Sequence, residues 1–395
     1  MESFAVAASV LSLLAWVYLA FFHGRFWRAD QWIESEFETG SPETGWPAVD
    51  VVVPARNEED CVGRCLTSLL EQDYPGEWRI TLVDDQSDDA TGDVAKRLAK
   101  EHPQGERLHV ERSGERPPGW VGKMWAVHTG VARAKALPLQ ARFLLLTDAD
   151  VEHHPGSLRR LVRKAEAQSL DLVSLMVRLH CERPWEKLLI PAFVYFFQQL
   201  FPFPRINDSR SRTAGAAGGC MLVRAAALEA IGGIERIRDA VIDDCALGAA
   251  LKERGPIWLG LSQREFSFRP YRGLEDIWNM VARSAYTQLD YSPWRLAGTV
   301  VGLGVVYIAP PVLTIAGIAS MGIAVALPAA IAWSLLNWTY VPMARLYALA
   351  WPWRLLLPVA GLLYTAMTLD SGLRHHRGRG ATWKDRVGAG ATPER

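Results

Sequence analysis

Two acids separated by one residue, Asp148-Ala149-Asp150, follow directly on the apolar run 143–146. A strand ending there presents both carboxylates at the edge of a sheet, where two exposed acids repel unless a cation joins them. A hard divalent ion, Mg2+ or Mn2+, takes oxygen ligands from one or two carboxylates and completes its shell with phosphate oxygens. It then stabilises negative charge growing on a departing diphosphate. Asp148 and Asp150 are therefore candidate metal ligands, although the same pattern also arises in ordinary turns. His153 and His154, just beyond, read as a solvated loop pair rather than as ligands.

Further candidates follow other apolar runs. Asp84 and Asp85, in Asp84-Asp85-Gln86-Ser87-Asp88, come after the run 80–83, and their carboxylates can accept hydrogen bonds from a base N–H or from ribose hydroxyls. Pro54, Asn57 and Glu58 close the first run, 49–53, where a nucleotide base could be held edge-on. Lys123 sits at a helix start, Gly122-Lys123-Met124-Trp125-Ala126, where an ammonium and helix-end N–H groups suit a phosphate. Gly218 and Gly219 precede the strand-like 220–223, which suits backbone approaching a diphosphate or acceptor, a tight bend, or simple small-residue packing. Asp243-Asp244 opens the helical stretch 245–252. Acids there are favoured by the helix dipole without any catalytic role. The functional reading makes Asp244 a general base that takes the proton of an acceptor hydroxyl as it attacks an anomeric carbon.

Positioning these residues requires strands that alternate with helices. Short apolar, β-branched runs at 49–53, 80–83, 108–110 and 143–146 are each followed by a helical pattern, at 59–71, 90–100, 123–136 and 155–167. Another strand candidate spans 171–177. The alternation predicts an α/β fold, Rossmann-like, with a mostly parallel sheet and helices on both faces. Ligands in such sheets sit beyond the carboxyl ends of the strands, where the polar clusters fall.

The chain has 395 residues, of which 49% are hydrophobic, and that fraction is unevenly spread. Acidic and basic residues balance at 43 each, which disfavours a nucleic-acid partner. The five cysteines show no paired Cys-x-x-Cys spacing, and Cys61 and Cys65, one helical turn apart, read as small buried hydrophobes. Residues 4–22 form an uncharged run long enough to cross a bilayer, without the basic start of a cleaved signal. Arg25 and Arg28 follow at once, so the positive-inside bias places the next domain in the cytoplasm. From 296 to 369 only Arg345 and Arg354 are charged. Spans are expected near 296–320 and 321–342, with 355–369 either a third span or an interfacial helix. Three spans there would put the basic tail outside, against the charge rule. The apolar segment 188–203 reads as an interfacial helix, with a buried core helix as the alternative. The expected division is an anchor at 1–23, a linker at 24–47, a catalytic domain at 48–290, a membrane block of two or three spans at 291–372 and a basic tail at 373–395, together a multi-pass protein of the cell's inner membrane.

The ordered set Pro54 to Glu59 (PARNEE), Val83 to Asp89 (VDDQSDD), Gly122 to Ala126 (GKMWA), Thr147 to Asp150 (TDAD), Ala216 to Arg224 (AAGGCMLVR) and Ile242 to Asp244 (IDD) resembles family 2 glycosyltransferases. Membrane segments at both ends are shared with ceramide-glucosyltransferase-like enzymes. The stretches 170–182, 188–204 and 282–293 look like the hopanoid-biosynthesis-associated glycosyltransferases. The resemblance implies a GT-A (nucleotide-diphospho-sugar transferase) fold, inverting single displacement, a nucleotide-sugar donor, most simply a UDP-sugar, and a membrane-lipid acceptor. By motif, Asp85 would contact the nucleoside, Asp148 and Asp150 the ribose, diphosphate and metal, and Asp244 would be the base. One departure stands out. Related membrane enzymes often carry a Gln/Arg-x-x-Arg-Trp motif before the last spans, and here only Arg283 matches it, within Met280-Val281-Ala282-Arg283-Ser284. Arg272 or Tyr286 would then have to compensate at the diphosphate or acceptor side.

Overall fold

The computed structural model describes residues 2–34, 45–136, 139–378, 382–383 and 386–387. Eight strands form one sheet: β1 Val49–Ala55, β2 Trp78–Asp84, β3 Leu108–Arg112, β4 Phe143–Thr147, β5 Val151–Glu152, β6 Leu172–Leu179, β7 Cys220–Arg224 and β8 Ile257–Ser267. Their order across the sheet is β3-β2-β1-β4-β7-β6-β8-β5. The half made of β3, β2, β1 and β4 is parallel. β7 then runs antiparallel to both β4 and β6, β6 and β8 are parallel, and β5 closes the edge antiparallel to β8. The sheet is thus mixed, with a parallel half that matches the alternating sequence pattern and a second half that the pattern did not order.

Helices cover both faces. Val62–Leu70 buries Val62, Cys65, Leu66, Leu69 and Leu70, an i, i+3, i+4, i+7, i+8 stripe that seats one side of the helix on the sheet. Ser157–Ala167 buries Leu158, Leu161, Val162 and Ala165 in the same way, and both stripes join one core cluster with Val51, Val53, Leu145 and Val173. Each of these Leu side chains contributes roughly 1.5–3 kcal/mol by leaving water. On the other face the Gly122–Ala136 helix comes so close that a Cβ on Gly130 would lie 2.4 Å from Val52 Cγ1 and 3.0 Å from Val83 Cγ2. Only glycine permits that approach, and it sets the depth at which Lys123 stands.

The described residues divide into two compact units, of which Asp30–His180, Arg205–Arg269 and Ala381–Arg395 supply the one containing the sheet. Met1–Ala29, Cys181–Pro204 and Pro270–Gly380 supply the other. This division groups 181–204 and 270–378 with the helical unit, where the expected catalytic domain ran from 48 to 290. The expected linker is also partly structured, since Leu261 N–H donates to Gln31 O (2.7 Å) and Ile33 N–H to Leu261 O (3.2 Å), adding 31–33 to β8. Residues 35–44 of that stretch and most of the basic tail lie outside the described residues.

Among the described residues, three helices, all in the helical unit, are long and apolar enough to cross a membrane: Glu2–Phe22, Pro293–Met321 and Ile323–Leu346. A fourth long helix, Leu357–His376, follows them. The segment expected at an interface forms Pro184–Leu200, a helix whose Leu189, Ile190, Ala192, Val194 and Tyr195 are fully buried within this unit.

Candidate active site

The site in the sheet unit is built where strands end. β4 stops at Thr147 and delivers Asp148, while the Gly122–Ala136 helix brings Lys123 and the Asp243–Lys252 helix brings Asp243 and Asp244 in its first turn. Lys123 Nζ lies 3.0 Å from Asp148 Oδ1 and 3.1 Å from Asp243 Oδ2. Gly218 N–H donates to Asp244 Oδ2 at 2.9 Å, and Asp244 Oδ1 accepts from Cys245 N–H at 2.7 Å. A Cβ on Gly218 would lie 3.4 Å from Asp244 Oδ2 and 3.5 Å from Lys123 Nζ, so the bare backbone at this glycine keeps the two side chains in one wall. Pro54, Lys123, Asp148, Gly218 and Asp243 line a small open cleft with an otherwise apolar floor that includes Leu146, Met221 and Leu247.

Charge is unbalanced here. Burial opposes the Lys123 ammonium, but Asp148, Asp243 and Asp244 outweigh it and hold the group charged, above its usual value. Burial also raises Asp148, with Lys123 pulling the other way. Asp244 is pushed up to about 6, first by burial and then by the neighbouring carboxylate of Asp243, against the lowering effects of Lys123 and the two backbone N–H groups. A carboxylate in that range is deprotonated at neutral pH yet is a better proton acceptor than an ordinary aspartate.

A second cluster joins the ends of β1, β4 and β8. Arg269 Nε lies 2.9 Å from Asp150 Oδ2, Arg269 also pairs with Glu58, and Ser267 Oγ donates to Asp150 Oδ2 at 3.1 Å. The two candidate metal ligands are thus each already paired with a cation, Asp148 with Lys123 and Asp150 with Arg269. No group of three or more His, Cys, Asp or Glu is arranged to hold a metal among the described residues. What the chain offers is two carboxylates one residue apart, a donor set that suits Mg2+ or Mn2+ only where phosphate oxygens and water fill the remaining positions.

The loops after β1 and β2 are stitched together beside these clusters. Asn57 Oδ1 accepts from Asp88 N–H (2.9 Å), Asn57 N–H donates to Ser87 Oγ (3.1 Å) and Asp84 Oδ1 accepts from Ser87 N–H (2.9 Å). Asn57 and Gln86 hold φ of 51° and 54°, left-handed backbone that tightens both turns. Asp85 is fully buried and accepts from Ser113 Oγ–H at 2.6 Å.

The structure therefore brings Lys123, Asp148, Gly218, Asp243 and Asp244 together, places Glu58 and Asp150 in the adjoining cluster, and sets Asn57, Asp84 and Asp85 in the stitched loops. Gly219 lies behind the wall, where a Cβ would lie 2.9 Å from Val177 Cγ2. Arg283, Arg272 and Tyr286 belong to the helical unit. There Tyr286 is buried and donates through its hydroxyl to Tyr291 O at 2.8 Å.

Sequence reading missed Arg269, which follows β8, a strand whose apolar pattern is interrupted at Gln263 and Arg264. It also misread His153. That side chain is buried, and burial pushes its imidazole down to about 4, so it is neutral. Thr147 Oγ–H donates to Gly219 O at 2.7 Å, which leaves His153 Nε2–H to donate into the same hydroxyl at 2.9 Å. The pair clamps the strand end that carries Asp148 to the glycine loop.

Comparison with known proteins bears on this arrangement. Residues 50–232 match the profile of glycosyl transferase family 2. An N-acetylglucosaminyltransferase of Rhizobium leguminosarum is 40% identical over 161 residues, 40% of this chain and 34% of that protein. A beta-monoglucosyldiacylglycerol synthase of Synechocystis is 33% identical over 126 residues, 31% of this chain and 24% of that protein. The matches span about a third or less of each of those relatives. A mannosyltransferase of Pyrobaculum calidifontis, solved with GDP-Man and Mn2+, superposes with a TM-score of 0.53 at 18% identity, covering 93% of this chain and 99% of that one. That likeness shows a shared fold, of the GT-A kind. Residues 50–232 thus resemble a glycosyl transferase family 2 domain.

Proposed function

We propose that this chain is a membrane-bound, inverting glycosyltransferase that moves a sugar from a nucleotide-sugar donor to a hydroxyl of a membrane lipid. The observation that carries the reading is Asp244, an aspartate pushed up to about 6 and fixed by the Gly218 N–H in the same wall as the Lys123–Asp148 pair. In this reading Asp244 takes the proton of the acceptor hydroxyl as its oxygen attacks the anomeric carbon. Lys123 offsets charge on the departing nucleoside diphosphate, and the stitched loops of Asn57, Asp84 and Asp85 hold the nucleoside, with Pro54 and Glu58 beside them. A divalent cation bound at Asp148 and Asp150 would supply Lewis-acid stabilisation of the diphosphate.

A lipid acceptor is supported by the three helices of membrane-crossing length and by the names of relatives, a beta-monoglucosyldiacylglycerol synthase and a 4,4'-diaponeurosporenoate glycosyltransferase of Staphylococcus haemolyticus. A UDP-sugar donor and a hopanoid acceptor with a hydroxylated side chain are the specific forms that the motif resemblance favours. Arg25 and Arg28, just after the first helix, favour a catalytic unit on the cytoplasmic face of the inner membrane. The test is mass spectrometry of lipids from cells with and without the protein. A glycolipid present only with active protein identifies sugar and acceptor together, and unchanged lipids with Asp244→Asn as active as wild type would sink the assignment.

A further inference from the structure

We propose that the Leu357–His376 helix is not a fourth crossing but a re-entrant element, both of its ends reached from the side where the chain enters the membrane at Pro293 and its exposed stripe covered by acyl chains. The helix runs antiparallel beside roughly the first two thirds of Pro293–Met321 and not its whole length. A Cβ on Gly372 would lie 2.8 Å from Leu296 Cδ2, and one on Gly361 would lie 2.7 Å from Tyr307 Cβ. Eleven residues separate the contacts on each helix, so the two stay in step at 1.5 Å per residue. Extrapolated at that rise, Leu357 stops about 15 Å short of the Met321 end.

The carboxyl end of the helix is tied to residues that precede Pro293. Trp278 Nε1–H donates to Asp370 Oδ2 at 2.7 Å, Arg374 Nη1 donates to Asn279 Oδ1 at 2.8 Å, and the His375 ring stacks on Tyr291 with centroids 4.5 Å apart. The amino end is reached from the same side. Pro293–Met321 and Ile323–Leu346 form a hairpin about Gly322, with Gly317 closed against Ala326, and 24 residues of helix, about 36 Å, return the chain to the level of its entry by Leu346.

The occupant of the free face follows from its chemistry. Val359, Leu362, Leu369 and Leu373 are 45%, 56%, 42% and 52% exposed at spacings of 3, 7 and 4, one continuous apolar stripe. It continues the exposed Val301, Val312, Ile315 and Ile318 of the helix it packs on, a face of membrane-crossing length. Water beside such a stripe would be costly, and acyl chains cover both surfaces at once. The bilayer is then crossed three times, and the basic end with Arg374 and Arg377 returns to the entry side, as the positive-inside bias requires of a cytoplasmic face.

The test is sidedness in the full-length chain, which does not depend on turnover. With the five native cysteines replaced, Ser320→Cys and Arg377→Cys are labelled with a membrane-impermeant maleimide in sealed vesicles of both orientations. Labelling from opposite faces is expected, with each site protected in the orientation that exposes the other. Labelling from the same face overturns the proposal, because the helix would then cross. Should the cysteine-free chain not fold, epitope tags inserted at Gly322 and appended after Arg395 read the same sidedness by protease protection, with the same two outcomes.

Discussion

The sheet holds two groups of charges at opposite ends of its parallel strands, one buried and one lining an open cleft, and they are built differently. At the amino ends, Asp50 of β1 faces Arg79 of β2, with Arg79 Nε 2.7 Å from Asp50 Oδ1 and Arg79 Nη2 donating to Ala134 O at 3.1 Å. One acid meets one cation, and the guanidinium is satisfied by backbone. At the carboxyl ends, Lys123 alone serves Asp148 and Asp243 by contact and Asp244 through the field. Three acids on one ammonium leave negative charge that the fold does not neutralise. The balanced pair holds two strands in register; the unbalanced cluster retains capacity for a proton, a cation or a phosphate-bearing ligand.

That contrast can be broken at either end. The largest effect is expected from Arg79→Met, which leaves Asp50 buried and unpaired and costs about 3–5 kcal/mol. Thermal or denaturant unfolding in detergent should register it, while turnover per folded molecule stays near wild type. A loss of turnover without a loss of stability would erase the distinction between the two ends. Next comes Asp244→Asn, which lowers kcat by about 10² or more with donor affinity nearly unchanged, read by isothermal titration beside product assays. Thr147→Val removes the hydroxyl between Gly219 O and His153 and leaves buried groups unpaired, at a cost of about 1–3 kcal/mol. Thr147→Ser should restore most of it.

Two smaller effects sharpen the comparison. Asp244 has a folded-state pKa raised to about 6, so the folded chain binds a proton that the unfolded chain has lost. Its burial therefore weakens stability progressively as pH rises from about 4 to 6 and fully above that. Relative to Asp244→Asn, wild-type stability should decline over this window, and activity should rise with the same group's deprotonation. A flat difference between pH 4 and 7 would count against the shifted carboxylate. Chelation of divalent ions should remove turnover while leaving the unfolding midpoint nearly unchanged, since Lys123 and Arg269 already compensate Asp148 and Asp150 in part.

β1 and β4 were readable because every residue in them is buried and the helices that follow carry clean apolar stripes. β8 was not, since its hydrophobic pattern is broken by the exposed Gln263 and Arg264, although Gly255-Pro256 does mark its start. Consequently Arg269, the cation of the second cluster, had no element to place it. Acids at strand ends were legible from position alone, whereas the partner each one takes depends on long-range packing. His153 shows the same limit: two adjacent histidines look solvated in sequence, and only the fold buries one beneath Thr147. Residues 188–203 were legible as apolar but not as part of the helical unit, because hydropathy records the environment and not the neighbour.

The first helix carries a delay in its own side chains. Ser12 donates to Val305 O and Trp16 to Val306 O, at 2.8 and 2.7 Å, so polar atoms made at the start of synthesis find their acceptors nearly three hundred residues later. Until those acceptors are made, neither polar group has the partner it takes in the folded chain, and a chain truncated before Val305 lacks both.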